Sequence, residues 1–156
     1  MAELSEIYNS KIIELAAAIP SGARLSDADA TATKHSKLCG STVAVDLKMR
    51  GDVVAGYAQT VKACLLGQAA ASVMGREIVG STAAELRAVG ASMRSMLKGT
   101  GRAPEGRWSD LGVLEPVRAV KARHASTLLV FDAVEHALQL IDEKQQRAAR
   151  LDQAAP

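Results

Sequence analysis

Two thiols are the residues of this 156-residue chain best suited to chemistry. Cys39 precedes Gly40 in KLCGSTVAVDLKMRGDVV, and Cys64 follows in TVKACLLGQAAASVMG. Between them the residues read as a β-hairpin. Each cysteine stands a similar number of residues from the turn at Gly51-Asp52, so both fall at one end of the same two strands. Cys64 also opens a helical pattern, and a helix N-terminus favours the thiolate, the form that binds metals and attacks sulfur. Gly40 lets backbone come close to a ligand. Two thiols fall short of the four ligands that zinc or an iron–sulfur cluster usually takes. On these residues alone two readings therefore stand: a metal- or sulfur-handling pair, or two small residues buried under helices. A Cys–His pair is a further option, with His35 near Cys39 and His124 and His136 on the last helix. His35 reads as structural and His136 as a helix residue without a ligand role. The chain carries no GxxxxGKS or GxGxxG loop, no GxSxG elbow and no HExxH, and it reads as a protein without catalytic residues of its own.

The elements that must position the thiols are legible by period. Residues 3–19 predict a helix, with Leu4, Ile7, Ile12, Leu15 and Ile19 on one stripe and Pro20 and Gly22 ending it. SDADATATKH suits a short edge strand. Val43, Val45, Leu47 and Met49 alternate with Ala44, Asp46 and Lys48, the period of a half-buried strand. RGD makes the turn, and residues 53–61 return. A helix from Cys64 ends near Gly75, and Ser81 and Gly99 bracket the next. SDLGVLEPVRAV reads as a short helix interrupted by Pro116. The longest helix carries Leu128, Phe131, Val134, Leu138 and Ile141, and residues after about 145 read as a solvated, frayed tail. Helix, strands, then helices implies one α+β domain over residues 1–156: a small antiparallel sheet of about three strands with helices packed on one face.

Composition narrows the function. Hydrophobic residues make up 48% of the chain, which excludes a disordered one. A net charge of +2 argues against a dedicated nucleic-acid binder. No apolar run is long enough to span a bilayer, and MAELSEIYNSK lacks the basic start of a secretory signal. Reduced thiols in the cytoplasm are the expectation.

The order of these pieces resembles the IscU/SufU/NifU N-terminal family of iron–sulfur cluster assembly scaffolds, over nearly the whole chain. DADATATKHSKLCGS is similar to the segment entering the family's first ligand cysteine. KACLLGQAAASVMGREIVGST is similar to its second cysteine and following helix, with Ala69-Ala70-Ala71-Ser72 in place of an ASAS-like stretch. LEPVRAVKARHASTLLVFDAV is similar to the segment carrying the third. The resemblance implies a SufE/NifU-like fold and a scaffold or carrier. Cys39 and Cys64, beside Gly40, would then hold a transient [2Fe–2S] cluster or iron, with zinc able to occupy the same thiolates. It also implies a cysteine desulfurase and recipient proteins as partners. A homodimer is one way to complete the ligand set. Two positions depart from the pattern: Ser41 replaces the family's aspartate, and a gapless match puts Ser126 at the third cysteine. His124, two residues before Ser126, becomes the candidate extra metal ligand. The alternatives are a persulfide-accepting sulfur-transfer protein and a metal-free interaction module of the same fold.

Overall fold

The computed structural model describes residues 9–20, 24–37 and 40–154. They form α1 (Ser10–Ala17), β1 (Ala30–His35), β2 (Thr42–Arg50), β3 (Val53–Lys62), α2 (Leu65–Glu77), α3 (Ala83–Lys98), 3-10 turns at Gly106–Ala119 and Lys121–Arg123, and α4 (His124–Ala154). The strands make an antiparallel sheet in the order β1-β2-β3. The alternation seen in the sequence sets its faces. Val43, Val45 and Leu47 are at most 1% exposed and lie under the helices. Gly51 takes φ +63° in the hairpin turn, a conformation that costs glycine little. The α+β architecture expected from the sequence is the one observed.

Helix α4 packs on β1 and β2, α2 beside β3, α1 against α2, and α3 against α4. α2 is hemmed in on several sides, which explains its composition. Gly67, Ala69, Ala70, Ala71 and Ser72 are all buried, and small side chains let the neighbouring elements close around the helix. α1 starts at Ser10, capped by Asn9, whose side chain accepts the Ile12 amide at 3.0 Å. The earlier part of the expected helix, residues 3–8, lies outside the described residues.

Four local expectations change. Thr82, rather than Ser81, caps α3: its hydroxyl accepts the Glu85 amide at 3.0 Å. Ser81 is fully buried instead, donating to the Glu77 carbonyl and accepting from Arg107. The segment around Pro116 is an unbroken run of 3-10 turns. Trp108, Leu111, Leu114 and Val117 are buried along it at intervals of three, the period of a three-residue turn. α4 continues as helix to Ala154, with residues 142–153 all exposed.

The fourth change concerns the outer sheet face. Asp46, expected to face solvent, is 2% exposed. Arg24 donates to it from Nε and Nη2 at 3.1 and 3.0 Å, the Leu25 amide at 3.1 Å and the Thr31 hydroxyl at 2.6 Å. These bonds strap the chain before β1 across the sheet. Led by the Arg24 hydrogen bond, they hold the Asp46 carboxyl below the usual carboxylate range.

Candidate functional site

One end of the sheet gathers the candidate residues. His35 pairs with Thr42, and Thr42 with Lys62, so the three strands finish in register there. The loop between β1 and β2 is closed by the Ser36 amide on the Ser41 carbonyl at 2.8 Å and the Gly40 amide on the Ser36 carbonyl at 2.9 Å. Gly40 is exposed with φ +69°, and a side chain built there would meet nothing within 4 Å. Ser41 is buried. Cys39 lies outside the described residues, between Lys37 and Gly40 of this loop.

Cys64 sits two residues past Lys62, as the N-cap of α2, half-buried and unbridged. Its sulfur does not cap the helix. It donates instead to the Ser126 hydroxyl at 3.4 Å, across 62 residues of sequence. Ser126 is 1% exposed and donates in turn to the Arg123 carbonyl at 3.2 Å, in the first turn of α4. Two helix N-termini thus meet at this thiol. Gly67 makes the approach possible: a Cβ there would lie 2.8 Å from the Ala63 Cβ and 3.0 Å from the Ser126 carbonyl oxygen. Sequence reasoning passed over Gly67, and the run of small residues around it was the available signal.

The histidines are engaged elsewhere. His124 places Nε2 at 3.0 and 3.1 Å from the carbonyls of Val117 and Arg118, tying α4 to the preceding 3-10 turns. As that nitrogen donates to backbone, a ligand role for His124 falls to Nδ1. His35 places Nδ1 3.0 Å from the Thr42 hydroxyl, across the strand pair. His136 buries its Nδ1 without a hydrogen-bond partner. Among the described residues, no group of three or more His, Cys, Asp or Glu side chains is arranged to hold a metal ion.

No family model matches the chain, and no curated protein matches it. Solved structures do. The N-terminal NifU-like protein from Brucella abortus is 55% identical, with a TM-score of 0.88, over 90% of this chain and 98% of that one. The chain belongs to the NifU-like N-terminal family. Two more distant structures share the fold. An iron–sulfur cluster assembly scaffold of the SUF system from Fervidobacterium islandicum AW-1 is 20% identical (TM-score 0.78), covering 87% of this chain and 99% of that one. A protein described as hypothetical is 19% identical (TM-score 0.68) with the same two coverages. As a NifU-like chain, this one pairs a thiol at the start of α2 with a hydroxyl at the start of α4. The hydroxyl belongs to the residue that the gapless family match set at the third cysteine. Among the described residues no helix is long and apolar enough to cross a membrane.

Proposed function

We propose that this protein is a scaffold or carrier for a labile iron–sulfur cluster, held through the thiolates of Cys39 and Cys64. The observation that carries the reading is the 3.4 Å contact between Cys64 and Ser126, in a chain of the NifU-like family. It sets a serine beside the thiol where the family pattern sets a further cysteine. The cluster is cargo: iron and sulfide arrive, are held by thiolates, and leave. A serine hydroxyl is a poor iron ligand because it resists deprotonation, so each chain offers two thiolates where a [2Fe–2S] cluster takes four protein ligands. His124 would add a nitrogen through Nδ1. The remaining positions stay open to a second copy or to a recipient protein, which makes the cargo easy to release. A cysteine desulfurase is the sulfur source this reading requires. Ser126 orients the Cys64 thiol, Ser41 is at most a weak ligand, and Gly40 leaves room beside Cys39.

Metal and acid-labile sulfide are measured in anaerobically reconstituted protein, beside the Cys39→Ala/Cys64→Ala variant. Iron and sulfide in equal amounts, lost in the variant, are the expected result. Zinc alone would reduce the reading to a metal-binding relative. Persulfide on Cys64 without iron would replace it with sulfur transfer.

A further inference from the structure

The thiol end of the molecule has a one-signed charge. The segment ends that come together there, residues 35–37, 40–45, 60–70 and 118–128, contain no aspartate or glutamate. They carry Lys37 in the β1–β2 loop, Lys62 at the end of β3, and Lys121 and Arg123 just before α4. The three lysines are exposed and Arg123 is partly so. Arg24, Lys48, Arg76, Arg87, Arg94 and Arg107 each bridge a carboxylate, whereas other surface cations of the described residues, such as Arg50, Lys98, Arg147 and Arg150, bridge none. Among the described residues, Lys37, Lys62, Lys121 and Arg123 bridge none. A second observation is independent of the first. Lys62 precedes the N-terminus of α2, and Lys121 and Arg123 precede that of α4. Cations at those ends oppose the helix dipole, which favours acidic residues. Three unpaired cations therefore stand before the two helix N-termini that meet at Cys64 and Ser126, where they oppose helix stability, and Lys37 adds a fourth from the β1–β2 loop, which points to a demand from outside the chain.

We propose that this basic rim docks an acidic surface segment of a partner protein, bringing the partner's own sulfur or metal ligand to Cys64. The proposal rests on the cargo-holding role argued above and adds the kind of partner. A protein fits better than a nucleic acid. Among the described aromatics, Trp108 and Phe131 are buried and Tyr57 lies on the helix-covered sheet face, leaving no platform for base stacking at the rim. Complementary charge around a reactive group speeds encounter and sets orientation while leaving dissociation fast, as a transient exchange needs.

The test uses the full chain and a fluorescein-labelled peptide of glutamates, with anisotropy read at low and physiological salt. Binding that weakens with salt is expected, and K62E/K121E should weaken it about tenfold. R147E/R150E, an identical charge change about 35 Å along α4, should leave it nearly unchanged. Equal weakening by both pairs, or no binding, would overturn the proposal. Tighter binding to duplex DNA or to phosphatidylglycerol vesicles at matched charge would overturn its choice of partner. The Cys39→Ala/Cys64→Ala variant should still bind the peptide. If the protein never holds iron and sulfide but K62E/K121E alone loses the peptide, the cluster reading fails and the docking face stands.

Discussion

Ser126 is the residue on which the chemistry turns. Its hydroxyl lies 3.4 Å from the Cys64 sulfur and is anchored to the Arg123 carbonyl, so the position is held rigidly at the start of α4. Ser126→Cys would put a second sulfur where the oxygen now sits, at nearly constant volume. Iron and sulfide per chain should rise, and their loss to a chelator should slow; retention equal to the unsubstituted protein would separate this position from the cargo. Asp46 tests stability at the same scale. Its carboxylate accepts four hydrogen bonds from Arg24, Leu25 and Thr31. Because the folded carboxyl titrates below its unfolded value, the stabilisation is complete above about pH 4 and is lost as pH falls through the lower folded value. Arg24 is largely exposed, so solvent screens its charge. Asp46→Asn should cost on the order of 1–2 kcal/mol at pH 7. As pH falls through the lower folded value, the gap to the parent should narrow in urea melts taken across an acid series.

The helices α2 and α4 decide how close the two residues come. Gly67 is the contact point, and a methyl group there would press on both Ala63 and the Ser126 carbonyl. In an exposed helix Gly→Ala stabilises, but here overpacking opposes that gain. Gly67→Ala should therefore destabilise the fold by about 1–3 kcal/mol. It should also lower cluster retention beyond what the stability loss explains, because α4 must move away from Cys64. A rise in the melting temperature would show that α4 yields without cost. Along the other flank, α3 is held to α4 by Arg94, which bridges Asp132 and Glu135, and by Arg87, which bridges Asp142 at 2.7 Å. These pairs stand away from the thiol and account for the orientation of α3 rather than for chemistry.

For the molecule as a whole, the core and the charged tail separate cleanly. The core is one contiguous cluster from Ile12 to Ile141, dominated by Ala, Val, Leu and Met. Beyond Ile141 every residue of α4 from 142 to 153 is exposed, although Lys144 still donates to the Asp29 carbonyl at 3.4 Å. Truncation after Glu143 removes exposed helix and hardly any packing. The melting temperature should stay within about 2 °C of the full chain, and iron retention should be unchanged. A larger drop would mean that the contact of Lys144 with Asp29, just before β1, carries stability.

Much of this architecture was readable along the chain. Period two marked β2 and β3, Gly51-Asp52 marked their turn, Pro20 stood beyond the end of α1, and Gly99 closed α3. Such signals are local, because each reports a backbone preference or a repeating face over a few residues. The interval of three from Trp108 to Val117 was equally visible, but the helix expectation assumed a different period and placed a break at Pro116. The expectation that both cysteines come to one sheet end followed from the hairpin; the structure puts Cys64 there, and Cys39 lies outside the described residues. Three features could be decided only in three dimensions. Asp46 is buried because a distant arginine crosses the sheet to meet it. Ser126 faces Cys64 because α2 and α4 close on Gly67, and the sequence reached that pairing only through family resemblance. Four cations from distant parts of the chain become one rim when the ends of β1 and β3 and the start of α4 come together. Each depends on contacts between residues far apart in the chain, and no local periodicity encodes which distant faces will meet.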